Sequence, residues 1–205
     1  PTLVLPDDHD VYQGNIWGQN GRDSKGIRNH ARGGYAMDAK WVNMIQRTQT
    51  SHHPDAFDPT PIQQGITVYY GDMLYGRISL AVLEDRKFKS GPEGKVNTWK
   101  GRPDHVKDAK YDVRKLDKPE LKLLGDRQMK FIRHWTADWK GADMKMAVSQ
   151  TIFCNLANYH GQKQEFIIAD LDSNGWPQSR RNVALEELRR GFAFHYAGDQ
   201  HLPSI

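Results

Sequence analysis

Cysteine is nearly missing from this chain: among 205 residues there is only Cys154. One thiol cannot form an intrachain disulfide, and it cannot build a cysteine-rich zinc or iron–sulfur site. It leaves the compartment open, because export without disulfides is common. Long apolar runs are missing as well. No stretch approaches the roughly 18 apolar residues that a membrane-spanning helix needs, and no signal peptide stands at the start. The chain opens with Pro1 rather than Met and ends at Ile205 directly after a motif-like segment, so it reads as a fragment cut at both ends. No internal repeat is evident.

Hydrophobic residues make up 38% and charged residues 26%, an ordinary globular balance that excludes wholesale disorder and allows one domain with a sizeable core. The formal net charge is +4, and the excess is local. Residues 86–122 hold twelve Lys or Arg against six Asp or Glu, a surplus larger than that of the whole chain. A basic surface suits an anionic partner such as a phosphate ester or nucleic acid. The commoner explanation is a solvated face, and residues 89–118, with little periodicity, read as a long basic surface insertion.

Elsewhere the pattern alternates strand and helix. A short apolar strand at 2–5 stops at Pro6 and delivers an acidic loop. A helix is expected over 36–48, with Trp41, Met44 and Ile45 on one face. Alternation of Ile66, Val68 and Tyr70, and of Ile78, Leu80 and Val82, predicts a hairpin of strands 66–70 and 77–83. Asp126 is the expected N-cap of a helix that carries Gln128, Phe131, Ile132, Trp135 and Trp139. Strands follow at 144–153 and 165–169, then a helix at 180–190 burying Val183, Leu185 and Leu188, and a last strand at 192–197. Strands alternating with helices predict an α/β layered fold, and the hairpin predicts that its sheet is mixed.

Three polar clusters share one placement. Asp7-Asp8-His9-Asp10 follows the first strand, Asp170 and Asp172 follow another, and Asp199 with His201 follows the last. In α/β sheets ligands gather beyond the carboxyl ends of the strands, so parallel alignment would bring these groups together. Carboxylates with one or two His suit hard or borderline cations. Packed carboxylates repel one another unless a cation or proton compensates. A metal pair would relieve that repulsion, clamp a phosphate and generate hydroxide from water near neutral pH. His9 is placed to donate a proton or stabilise charge, and Arg86 to clamp a phosphate oxygen. His52, His53 and His160 receive no role.

The segments LPDDHDVYQGN, LEDRKFKSGP, LLGDRQMKFI, DLDSNGWPQSRR and HYAGDQH together resemble the PhoD-like alkaline phosphatases of the calcineurin-like metallophosphoesterase group, in the same order and over residues 3–201. The resemblance implies a layered sandwich of mixed β-sheets flanked by helices, and it makes residues 1–205 one partial catalytic domain, incomplete at its N-terminus. It implies hydrolysis of phosphate mono- or diesters in the periplasm or outside the cell, with nucleic acid a partner only as substrate. It implies a binuclear or multinuclear metal site, iron with calcium first and manganese or zinc as alternatives. By position, Asp7, Asp8, His9 and Asn15 match the acidic motif and the Asn after it. The expected metal ligands are Asp8, Asn15, Asp172 (Asp170 as the alternative), Asp199 and His201. Many relatives carry Trp-Asp-Gly-Tyr where Ser173-Asn174-Gly175-Trp176 stands here, which marks a divergent branch. A reading from another class is a non-catalytic polyanion- or nucleic-acid-binding protein, its basic insertion the contact surface and its acidic clusters structural calcium sites.

Overall fold

The computed structural model describes residues 2–11, 34–35, 37–92, 94–96, 100–154, 158–172 and 174–199. In chain order the helices are α1 (Asp8–Val11), α2 (Ala39–Thr50), α3 (Gly125–Ala137) and α4 (Gln178–Arg190). The strands are β1 (Gly71–Tyr75), β2 (Ile78–Val82), β3 (His105–Val106), β4 (Met144–Ser149), β5 (Tyr159–His160), β6 (Glu165–Phe166), β7 (Ala169–Asp170) and β8 (Phe194–Ala197).

A four-stranded sheet in the order β1-β2-β4-β8 forms the centre. β1 and β2 are antiparallel, whereas β2, β4 and β8 run parallel. The sheet is therefore mixed and helices flank it, the α/β layering that the strand–helix alternation implies. The β1–β2 turn needs positive φ at both of its two residues, as type I′ hairpins do: Gly76 adopts φ 55° freely and Arg77 sits at φ 67°. Arg77 is fixed there by two bonds to the Asp143 carboxylate, of 2.5 and 2.6 Å.

α3 and α4 cover one face of the sheet. The main core joins Phe131, Ile132 and Trp135 of α3, Ala184 and Leu188 of α4, and Ala81 and Ala147 of the sheet. The Trp135 indole N–H donates to Ser79 Oγ at 2.8 Å and ties helix to strand. Lys145 of β4 is fully buried beneath α3 and its ammonium donates to the Trp135 and Asp138 carbonyls at 2.6 and 2.5 Å. A cation on the last carbonyls of a helix complements both the orphan acceptors and the dipole. Lys145→Met strands those carbonyls, and urea unfolding is expected to show a loss of about 1–3 kcal/mol.

Several expected elements shift. Residues 2–5 form no strand: the Val4 N–H finds the His53 Nε2 at 3.2 Å rather than a sheet edge. The hairpin begins at Gly71, because the backbone of 66–70 is engaged by loops and by Asn43 Oδ1, which accepts the Thr67 N–H. α2 is capped by Asp38, which accepts the Trp41 N–H, and buries Val42, Gln46 and Thr50 while Trp41 and Met44 stay exposed. Asp126 lies inside the first turn of α3 instead of capping it, since the left-handed Gly125 (φ 71°) already turns the chain in. Trp139 lies beyond the end of α3, and Val183 of α4 is exposed. The strand expected at 165–169 is split: Glu165–Phe166 pairs with β5, and Ala169–Asp170 pairs with β3.

The segment 89–118 is more than a solvated loop. Val96, Val106 and Leu116 pack with Leu121, Leu171 and Trp176 into a second core. Isolated apolar residues delivered by turns have no period, so the sequence pattern hides such packing. No helix among the described residues is long and apolar enough to cross a membrane.

Candidate functional site

The parallel strands β2, β4 and β8 end side by side, and each hands over to a polar segment: Glu84-Asp85-Arg86 after β2, Gln150-Thr151 after β4, and Gly198-Asp199 after β8. β4 ends at Ser149, short of the expected 153, because Asp85 takes its next backbone donors. The fully buried Asp85 carboxylate accepts the Gln150 and Thr151 N–H groups at 3.1 Å each and the Thr151 hydroxyl. Burial pushes this carboxyl up to about 6 against the pull of the Thr151 bond and the nearby cations. Gln150 in turn accepts the Asp85 N–H, donates to the Pro6 carbonyl and accepts the Gly198 N–H on its own carbonyl. One glutamine thus links three loops. From α3, Gln128 grips the N–H and carbonyl of Glu84 at 2.7 and 2.8 Å. The Glu84 carboxylate accepts the Arg86 and Lys87 N–H groups. The backbone that presents Arg86 is therefore locked from both sides.

The Arg86 guanidinium, 1% exposed, is surrounded by carboxylates from three distant stretches of chain. Nε meets Asp7 Oδ1 at 2.6 Å, and Nη1 meets Asp172 Oδ1 at 2.5 Å. Nη2 lies 3.4 Å from Asp8 Oδ1 and 3.2 Å from Asp199 Oδ1. Burial pulls the guanidinium pKa down, but the four carboxylates, Asp172 first, outweigh it and hold Arg86 charged. Burial pushes the Asp8 carboxyl up to about 6, with Arg86 opposing, and raises Asp172 well above the usual carboxylate range. Lys89, also buried, donates its ammonium to the Asp172 carbonyl, and burial lowers its pKa. Four acids thus face two buried cations, a deficit of positive charge.

Carboxylate oxygens of Asp7, Asp8 and Asp199 all lie within 4.8 Å of one another, a spacing that one cation can bridge. A second such group, Asp104, His105 and Asp170, is formed where β3 pairs with β7. Its Asp104 is already bound by Arg102 through two 2.7 Å contacts. Asp170 therefore stands in the neighbouring group and is linked to the first by its bond to the Asp172 N–H at 2.9 Å.

The overall fold is similar to that of a solved structure described as "Structure of PhoD", with a TM-score of 0.62 at 18% identity. The fold is PhoD-like. The match covers 98% of this chain and 34% of the PhoD chain, so these residues span about a third of that protein. No protein-family model matches the sequence, and no curated protein matches it.

Among the residues expected at a PhoD-like site, Asp8, Asp172 and Asp199 meet around Arg86, and Asp7 joins them. Arg86, the expected phosphate clamp, has these carboxylates as its neighbours. His9 sits at the rim, its side chain 64% exposed, with Nε2 at 3.5 Å from Asp8 Oδ2. Asn15 and His201 lie outside the described residues. Sequence reasoning passed over Lys89 and Gln150, since a lysine in a basic run and a glutamine after a strand carry no signal of burial. In the insertion Arg102 pairs with Asp104, Lys107 with Glu165 and Arg114 with Asp112, and Lys118 donates to the Lys95 carbonyl, while Lys100, Lys110 and Lys115 are exposed.

Beside the site, His195 of β8 stacks near Phe153 with its Nε2 2.7 Å from Ser149 Oγ. Burial pulls its pKa down to about 4. An unfolded histidine titrates near 6.5, so between those values the unfolded chain binds more protons. The contribution of this group to stability is complete above pH 6.5 and lost as pH falls toward 4, on the order of 2–3 kcal/mol. Asp8, Asp85 and Asp104 are shifted in the opposite sense, so the residue itself must be followed. Its ring-proton resonances are expected to titrate near pH 4, and a midpoint near 6.5 would contradict the burial argument.

Proposed function

We propose that this chain is part of a metal-dependent hydrolase of phosphate mono- or diesters. The observation that carries the reading is the meeting of Asp7, Asp8, Asp172 and Asp199 on one point beyond the carboxyl ends of parallel strands, in a fold similar to that of PhoD. Residues 1–205 are read as one partial catalytic domain carrying the basic segment at 89–118. The donor set fits a divalent cation: it is all oxygen, closely spaced, and its negative charge exceeds that of its buried cations. Asp7, Asp8 and Asp199 are the groups to hold it, with Asn15 and His201 as further ligands and iron, calcium, manganese or zinc as the ion. A bound cation of this kind supplies Lewis acidity and lowers the pKa of a coordinated water.

The chain's own side chains divide the remaining work. Arg86 and Lys89 hold Asp172 and fix the spacing of the carboxylates, so that little reorganisation is needed when charge develops on a phosphate. His9, exposed at the rim and 3.5 Å from Asp8, is placed to give a proton to a leaving oxygen. Phosphate esters, nucleic acid among them as substrate only, are the expected ligands, and the periplasm or the cell exterior the expected compartment.

The test uses the natural gene product that contains this chain, purified without chelator. Metal content is measured by mass spectrometry of the elements, and turnover is followed with p-nitrophenyl phosphate and bis-p-nitrophenyl phosphate. Stoichiometric metal and hydrolysis abolished by a chelator are expected. A metal-free protein, or hydrolysis indifferent to chelation, would sink the reading.

A further inference from the structure

Gln150 grips three residues that each stand immediately before a member of the charged cluster. Its side-chain amide donates to the Pro6 carbonyl at 3.2 Å, one residue before Asp7. Its side-chain oxygen accepts the Asp85 N–H at 3.0 Å, one residue before Arg86. Its backbone carbonyl accepts the Gly198 N–H at 3.1 Å, one residue before Asp199. The glutamine is buried and brings no charge of its own.

The three contacts differ in what stands behind them. The bond to Gly198 continues the β4–β8 ladder past Ser149 and Ala197, so Gln150 and Asp199 share one rigid frame. The segment that bears Asp7 and Asp8 lies outside that frame. It contributes no strand to the central sheet, and its helix α1 is a single turn. Upstream, the Val4 N–H donates to His53 Nε2 at 3.2 Å, and downstream the Val11 carbonyl accepts the Trp41 indole N–H at 2.6 Å. Between those points Arg86 holds the carboxylates of Asp7 and Asp8, and Gln150 holds the Pro6 carbonyl. The pull of Arg86 depends on carboxylate charge, which is shared once a cation binds the same oxygens. A neutral amide on a carbonyl is indifferent to that sharing.

We infer that Gln150 is a positioning residue: it transmits the place of Asp199 to Asp7 and Asp8, and so sets the spacing of the oxygens that hold the cation. The inference rests on the metal-dependent reading above. Cations accept oxygen ligands only over a narrow range, roughly 2.0–2.6 Å. Ligands on separately mobile loops therefore bind weakly unless the loops are tied beforehand. Hydrogen-bonding partners behind metal ligands are worth about 10–100-fold in affinity. Gln150 acts on the backbone beside the ligands, and it serves two ligand-bearing loops at once. Substitution leaves its backbone bond to Gly198 in place and removes only the ties to Pro6 and Asp85.

Gln150→Met tests this in the natural gene product after its metals are stripped by a chelator. Ferrous iron, calcium, manganese and zinc ions are titrated singly by calorimetry, and the ion that the parent binds most tightly is compared across variants. Lys145→Met is the control. It also strands buried carbonyls on the same strand, but these belong to Trp135 and Asp138 rather than to the loops of the cluster. Q150M is expected to weaken binding at least ~10-fold, and K145M to leave it unchanged. A smaller loss for Q150M overturns the inference. So does an equal loss for the two variants, since the cause is then a general loosening of the fold. If Q150M does not fold, Gln150→Ala carries the same test, because water can satisfy the freed Pro6 carbonyl and Asp85 N–H without fixing their separation. Failure of both to fold makes the residue structural and overturns the inference as well. A parent that binds none of the four ions sinks the hydrolase reading together with this inference, whereas a parent that binds and a Q150M equal to it sinks this inference alone.

Discussion

Arg86→Met is expected to destabilise this protein by about 3–5 kcal/mol, the cost of leaving buried charge uncompensated. The methionine fits the channel of the arginine stem, so volume is nearly conserved and the effect is electrostatic. Asp7, Asp8, Asp172 and Asp199 then face one another with Lys89 as the buried cation that remains beside Asp172. The pH dependence has a definite sign. Burial already raises the Asp8 carboxyl to about 6 and lifts Asp172 well above the usual carboxylate range. Both are raised above their unfolded values, so their destabilising effect is complete only once pH has risen past the folded pKa. The variant should therefore lose more stability at pH 8 than at pH 5 in denaturant titrations. A divalent cation bound only by the native state should restore part of the loss, by about 2.7 kcal/mol at a hundredfold excess over its Kd. A variant as stable as the parent at pH 8 without added cation would show that Arg86 is not the counter-charge of the cluster.

Asp199→Asn is expected to keep the fold and remove function. Asp199 sits at φ 64°, in the left-handed region that Asn tolerates about as well as Asp. The change is isosteric and removes one negative charge from a crowded group, so stability should move by less than about 1 kcal/mol. On the proposed reading, it deletes an oxygen ligand. Loss of a ligand's outer hydrogen-bonding partner alone costs about 10–100-fold in metal affinity or activity, so loss of the ligand should cost at least about 100-fold in turnover. Metal content by elemental mass spectrometry and hydrolysis of a generic phosphate ester are to be read on the same preparation. Near-normal turnover with undiminished metal would remove Asp199 from the ligand set.

The site was legible in the sequence to an unequal degree. Acidic residues directly after apolar stretches are easy to see, and Asp8, Asp172 and Asp199 stood out on that ground. Their distances along the chain carry no hint of Arg86 between them. An arginine next to Glu84 and Asp85 in sequence suggests a local ion pair. The fold instead uses the carboxylates of both neighbours on backbone donors and sends the guanidinium to residues far along the chain. The same blindness applies to Lys87, whose ammonium binds Gln46 and the Thr67 carbonyl in the interior. Burial holds its pKa down to about 8, against the pull of Glu84. Charge runs usually face water, and that expectation fails where turns fold a basic segment back onto the body of the protein.

By itself, the sequence determined the layering. Period-two and period-3.6 patterns are local properties of the backbone, so the second strand of the hairpin, the helices at 125–137 and 178–190, and the strand that delivers Asp199 followed from neighbouring residues, whereas the strands expected at 2–5 and 66–70 did not form. Only the tertiary structure decided which strands run parallel, which face of the sheet the helices cover, and which cations stand among the carboxylates. Those outcomes depend on contacts between residues tens of positions apart, where burial and charge pairing set the energy and local pattern has no influence.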